Sequence, residues 1–293
     1  MRIAIGPLSA LFVIACTAHS PAGSQTTRTF NFNKTPGAVT VQGDGAEVTL
    51  QPKISSEAIL NLSVSVRIPG FQTIIVDDGG GPASADTWVA IGKLSATDRA
   101  PSVLLEGFSG GAHCCATLTA IVPSAGRMKA ITFEPVDGDS DKVFPKDLDG
   151  DGTVDFVRQD DSLFYQFASG AASYSPPVIF NIYKGQLIDV SSQPGFRPLW
   201  LAFAKKTRAA CMDKTNPDRN GACAAYVAAA ARLGRFEAAM SEALEWASPS
   251  NDFLPEGCLI KETDSQCPAE KKIKFSSFEP ALRWFLRTHG YID

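Results

Sequence analysis

Histidine is scarce in this chain: His19, His113 and His289 are the three among 293 residues. General acid–base chemistry near neutral pH draws on histidine more than on any other side chain, so proton-transfer machinery has few places to stand. A basic excess is also missing. Lysine and arginine number 27 against 31 aspartate and glutamate, for a net charge of −4, whereas a nucleic-acid binder would show a basic face or stripe. Nucleic acid is therefore not an expected partner. After the first residues no apolar run reaches the length of a membrane helix, so no membrane span is expected in the mature chain. Helical periodicity is absent from the first two thirds of the sequence as well. The hydrophobic share of 44% and charged share of 20% nevertheless belong to a folded protein rather than a disordered one.

What is present begins with a leader. Arg2 precedes an apolar stretch from Ile3 to Ala18, broken by Gly6 and Pro7. It is too short to cross a bilayer and suits the apolar region of a signal peptide, so residues 1–25 are assigned to export. Two cleavage routes are open. Val13-Ile14-Ala15-Cys16 has the form of a bacterial lipobox, in which Cys16 would carry a lipid anchor; ordinary cleavage would fall after Ala18 or Ala22. The expected address is the periplasm, the outer membrane as a lipoprotein, or the exterior.

Cysteine usage agrees with export. Setting Cys16 aside leaves Cys114, Cys115, Cys211, Cys223, Cys258 and Cys267, an even set that reads as disulfides in an oxidising compartment. Loop-closure entropy favours near pairs, hence Cys211 with Cys223 and Cys258 with Cys267. Cys114 and Cys115 are then left for one another, across a short Cα separation unusual for a disulfide. The rival arrangement ties one of them to the C-terminal region.

Short alternating or β-branched runs separated by Gly and Pro fill residues 29–195. Strands are expected at 29–33, 39–42, 47–50, 58–68, 71–78, 88–94, 101–108, 115–122, 129–134, 154–159, 163–168 and 178–183. From about Pro198 the period turns helical, and helices are expected at 199–213, 222–233, 236–247 and 278–288, the third beginning after a Gly234 stop and ended by Pro249. The fold class is therefore α+β: a β-rich N-terminal body over 29–195, partly propeller-like or a β-sandwich, followed by a small α-helical domain over 196–293. A shift of 53 residues lays Lys93–Leu104 on Lys146–Val157, with Asp98 opposite Asp151, as two tandem β units would.

Ten acidic residues stand between Glu134 and Asp161 against Lys142, Lys146 and Arg158. Within them, Asp147-Leu148-Asp149-Gly150-Asp151-Gly152-Thr153-Val154-Asp155 has the spacing of a cation loop. Calcium takes six to eight hard oxygen ligands, several of them carboxylates. Asp147, Asp149 and Asp151 at positions 1, 3 and 5 turn inward together, Gly152 permits the sharp bend, and the Thr153 carbonyl and Asp155 carboxylate close the shell. Arg158 at position 12 excludes an EF-hand, which ends there in glutamate. The pattern resembles the integrin-type FG-GAP (VCBS-like) repeats, whose Asp-x-Asp-x-Asp-Gly-x-x-Asp loops join strands of propeller blades. That resemblance covers about residues 86–192 and implies a structural calcium ion rather than a catalytic one.

Other motifs carry less. Gly107-Phe108-Ser109-Gly110-Gly111 matches the G-x-S-x-G nucleophile elbow, which needs a helix after it, yet Cys115–Val122 reads as strand. On a strand, His113 and Cys115 face one way and Cys114 the other, too few ligands for zinc. In the helical region, residues 224–239 resemble one tetratricopeptide unit, which cannot bury both faces alone. The sequence therefore points to a non-enzymatic, calcium-binding interaction module whose partner is an envelope or extracellular protein or glycan. The alternative is an envelope hydrolase using Ser109 or a carboxylate at the calcium edge.

Overall fold

The computed structural model describes residues 25–32, 37–54, 59–78, 86–108, 114–137, 142–250, 252–260 and 267–293. It has the expected α+β composition, with sheets in the N-terminal region and helices in the C-terminal one. The signal segment with Cys16, together with Ser109 and His113, lies outside the described residues.

The central layer is a sheet whose middle strands are β6 (Asp86–Gly92), β7 (Ser102–Phe108) and β8 (Cys114–Ser124). β1 (Thr26–Asn31) pairs with β6, while β9 (Arg127–Thr132) and β10 (Val136–Asp137) share the far edge of β8. Side chains alternate across a strand, and here both faces are buried. Val89, Ile91, Val103, Leu105 and Ile121 point to one side, against a four-stranded sheet of β2 (Val39–Gly43), β3 (Ala46–Ile54), β4 (Ile59–Arg67) and β5 (Ile74–Asp78). Val48, Leu50, Leu62, Val64 and Val66 supply the facing half of that core. This is the face-to-face packing of a sandwich. Trp88, Ala90, Leu104, Leu118 and Ala120 point to the other side, where Phe133, Phe144, Val154 and Phe156 cover them. The near-continuous apolar sequences of β6 and β7 follow from this double burial.

The third layer is the small sheet of β11 (Phe156–Gln159), β12 (Pro177–Tyr183) and β13 (Gln186–Asp189). Three hairpins share one device. Asp44-Gly45, Ala125-Gly126 and Lys184-Gly185 all have positive φ and join strands paired right up to the turn, the pattern that matches the right-handed strand twist. β13 was not expected from the sequence. The strand expected at 163–168 is not one: Asp161–Leu163 forms a 3-10 turn capped by Asp160, whose side chain accepts from the Ser162 N–H. Leu163 and Phe167 are buried there, so the apolar run reflects burial rather than strand pairing.

Four α-helices appear among the described residues: α1 (Arg197–Cys211), α2 (Asn220–Arg232), α3 (Phe236–Trp246) and α4 (Phe278–Thr288). α2 is the buried axis of this region. Its Ala222, Ala224, Ala225, Ala228 and Ala229 are fully enclosed, and small side chains let the surrounding elements approach closely. The core around it draws on α1, α3 and α4, and also on Leu163, Phe167, Ile179 and Val190 from before residue 196. The apolar stripe of the tetratricopeptide-like pair is thus covered by the other helices and the β body. Trp200 Nε1 donates to the Ser191 carbonyl at 2.9 Å, and the Tyr291 hydroxyl to Asp160 Oδ2 at 2.5 Å, tying the helices to the strands.

Cys211 pairs with Cys223, and Cys258 with Cys267, the latter beside the hairpin of β14 (Glu256–Cys258) and β15 (Lys272–Lys274). Both local closures expected from the sequence are present, so none of these four is available to the β body. Cys115 is also disulfide-bonded; the side chain of Cys114 lies outside the described residues. No described helix is long and apolar enough to cross a membrane.

Candidate metal centre

The loop from Asp147 to Asp155 runs directly into β11, as its strand-like continuation predicts. Gly150 and Gly152 have φ of 83° and 89°, a region that L side chains rarely enter, and these two bends fold the loop back on itself. Asp147 then accepts from the N–H groups of Gly150 at 2.7 Å and Gly152 at 2.9 Å. Asp149 accepts from Asp151 N–H at 3.1 Å, and Asp151 from Thr153 N–H at 2.7 Å. Each carboxylate is held by backbone within the loop, in the manner of successive Asx turns.

Three of the predicted ligands are brought together. Asp147, Asp149 and Asp151 each offer an oxygen, and these oxygens lie within 4.8 Å of one another. Oxygens that share one calcium ion at 2.3–2.6 Å stand no more than about 5 Å apart, so the spacing fits a single hard cation. The donor set is all oxygen, which suits calcium and not a soft metal.

Asp155 is used differently. It stands outside that group of three and is 2% exposed. Its Oδ2 accepts from Leu148 N–H at 2.7 Å and its Oδ1 from the Asn181 side-chain amide at 2.7 Å. Asn181, on β12, also donates to the Val154 carbonyl at 3.0 Å. Asp155 therefore braces the two ends of the loop and fixes them to the third sheet. Thr153 is bridged to Ser95. Around it, Val154 N–H donates to the Leu94 carbonyl and Ala96 N–H to the Gly152 carbonyl, so the segment after β6 clamps the loop's second half. Asp98, the partner of Asp151 in the 53-residue shift, accepts from Leu94 and Ser95 N–H and braces that clamp.

The electrostatics of the loop are those of carboxylates crowded together. Burial raises the carboxyls of both Asp149 and Asp155 above the ordinary aspartate value. The charges that act on them are other carboxylates of the loop, which raise them further: Asp147, Asp151 and Asp155 on Asp149, and Asp151 and Asp147 on Asp155. Backbone amides offset part of this repulsion, and a divalent ion would remove it.

Sequence reasoning missed three contributors. Asn181 interrupts the apolar run Ile179-Phe180-Asn181-Ile182, and a buried amide in such a strand is a usable signal. Leu94–Asp98 gave only the faint repeat. Gly195 was invisible: a Cβ there would meet the Asp149 Cβ at 2.4 Å, so the turn leading into α1 packs directly on the loop.

The fold and this loop define a layered β protein with an acidic turn and a disulfide-bonded helical region. The helical region matches a known family, described as the sll0997 C-terminal domain, over residues 201–290. A probable thylakoid lumen protein, sll0997, from Synechocystis sp. is 30% identical over 217 residues, 70% of this chain and 61% of its own length. The uncharacterized protein y4bJ of Sinorhizobium fredii is 29% identical over 239 residues, 78% of this chain and 37% of its own. This chain thus spans less than two thirds of either relative. No solved structure matches it.

Proposed function

We propose that this chain is an exported, non-enzymatic interaction module whose Asp147–Asp155 loop binds one structural calcium ion in the manner of FG-GAP-like loops. The observation that carries the reading is the convergence of Asp147, Asp149 and Asp151 within 4.8 Å on a loop with two positive-φ glycines. Asp147, Asp149, Asp151 and the Thr153 carbonyl hold the ion, and Asp155 braces the loop beneath. The ion's role is to fix the loop against the clamp at Leu94–Asp98 and the turn at Gly195, because it neutralises carboxylates that otherwise repel. Export is supported by the leader, by the disulfides and by the name of the Synechocystis relative, since a lumen lies across a membrane from the site of synthesis. The address is the periplasm or the outer membrane through a lipid on Cys16, and the partner is an envelope or extracellular protein or glycan. The hydrolase alternative is weaker: Cys114–Ser124, the next described element after Gly107-Phe108, is the strand β8, where a nucleophile elbow leads into a helix.

Calcium-dependent thermal unfolding of the mature protein tests the metal assignment. A ligand at 100 times its dissociation constant adds about 2.7 kcal/mol, and the gain should vanish with chelator. An unchanged transition would remove the basis for the proposal. Mass spectrometry of membrane and soluble fractions tests the address: a chain starting at a diacylglyceryl Cys16 identifies the lipoprotein, and an intact Met1 in the native host refutes export.

A further inference from the structure

A second site lies between the central sheet, β11 and the 142–148 segment. A cavity of about 250 Å³ opens there, walled by Trp88, Leu104, Leu118, Phe144 and Phe156. Into this apolar enclosure the chain places a charged pair, Glu106 from β7 and Arg158 from β11, 4% and 8% exposed. Burial of ions is expensive unless their hydrogen bonds are made. Those of Arg158 are incompletely made. The closest contact between guanidinium and carboxylate is 3.7 Å, longer than a hydrogen bond. Arg158 gives one hydrogen bond, of 3.3 Å, to the Ala116 carbonyl, and its buried Nε–H finds no acceptor among the described residues. A guanidinium carries five donors in a planar fork matched to a carboxylate, so this fork keeps donor capacity for a further acceptor.

We propose that this cavity binds a small organic carboxylate with an apolar, ring-sized body, whose two oxygens are received by Arg158. The apolar walls take the body, and edge or face contact with Trp88, Phe144 and Phe156 suits a ring. Charge selects which side of Arg158 the anion approaches. Lys142 and Lys146 line this cavity, whereas Asp160 and Asp161 line the other cavity that Arg158 borders, of about 300 Å³. The carboxylate of Asp155 also borders the first cavity, but both its oxygens are engaged by Leu148 and Asn181. Glu106 acts as the internal competitor, holding the guanidinium until an external carboxylate of better geometry replaces it. The site does not depend on the metal reading.

Calorimetric titration of the full mature chain with phenylacetate, phenylacetamide and phenethylamine tests the proposal. Runs in calcium and in chelator keep failure of the metal reading distinct from failure of this one. Phenylacetate should bind saturably, the neutral amide about tenfold or more weaker, as fits loss of a charge-assisted pair, and the amine not at all. Glu106→Gln should tighten phenylacetate binding severalfold, and Arg158→Lys should weaken it at least about tenfold by removing the fork. Circular dichroism checks that each variant folds. Should Arg158→Lys fail to fold, nuclear Overhauser contacts between the probe ring and the Trp88 indole in the unmodified protein decide the location. Absence of saturable binding, preference for the amine, weakening by Glu106→Gln, or no contact with Trp88 would each overturn the proposal.

Discussion

Replacing Asp151 and replacing Asp155 by alanine should have opposite signatures, although both are acidic residues of one loop. Asp155 is buried and accepts from Leu148 N–H and the Asn181 amide at 2.7 Å each. Truncation leaves the Leu148 N–H and one of the two amide hydrogens of Asn181 without an acceptor, and each buried orphan costs about 1–3 kcal/mol. Release of the repulsion from Asp147 and Asp151 returns part of this, so Asp155→Ala should lose about 2–3 kcal/mol with or without calcium. Asp151 is exposed and accepts only from Thr153 N–H, a donor that water can satisfy. Asp151→Ala should therefore stay within about 0.5 kcal/mol in chelator. In calcium at 100 times the dissociation constant it should forfeit most of the 2.7 kcal/mol gain, about 5–10 °C for a domain of this size. Urea unfolding followed by circular dichroism, run in excess calcium and in chelator, measures both. Equal losses for Asp151→Ala in the two conditions, or a calcium shift that survives it, would refute the division between ligand and brace.

Three further outcomes follow from the same structure. Asp149 and Asp155 have carboxyl groups raised chiefly by burial; a raised acid binds its proton more tightly folded than unfolded, so in chelator stability should fall as pH rises from the ordinary value of 3.8 through the raised ones. Calcium displaces those protons, so its stabilisation should instead shrink on acidification, and unfolding curves across this range with and without calcium will show the crossing trends. Gly195→Ala forces a Cβ onto Asp149 and should cost about 1–3 kcal/mol, as overpacking does, while weakening calcium binding; Gly37→Ala, where an added Cβ meets nothing within 4 Å and φ is not positive, is the control for the loss of a glycine alone. Removing both Cys211 and Cys223 opens a loop of sequence separation 12 and should cost about 3 kcal/mol on the chain-entropy account, read from unfolding in non-reducing buffer.

Much of this architecture was legible because single residues carry it. The apolar runs of β6 and β7, the glycine after α2 and the local cysteine spacings each act over a few positions, and each is visible as a pattern. The convergence of the three carboxylates was legible for the same reason: positions 1, 3 and 5 of one tight turn are placed by that turn alone. What escaped depends on partners distant in sequence. Leu163–Ala168 read as strand because burial against α2 and α4 demands the same apolar residues that pairing would. β13 is short and half-exposed, and only the Lys184-Gly185 turn announced it. The clamp at Leu94–Asp98, the brace from Asn181 and the backing by Gly195 arise from the stacking of layers. Asp155 had the right spacing for a ligand, but Asn181, 26 residues on, engages its carboxylate.

Equilibrium dialysis of the purified mature chain against calcium, with bound metal quantified by atomic emission, addresses the central claim most directly. One calcium per chain is expected, with a dissociation constant in the micromolar-to-millimolar range typical of extracytoplasmic sites, about 10⁻⁶–10⁻³ M. Binding should disappear in the Asp149→Ala, Asp151→Ala double variant, whose circular dichroism in chelator matches the parent. No bound calcium in the parent, or equal binding by the folded variant, would contradict the account.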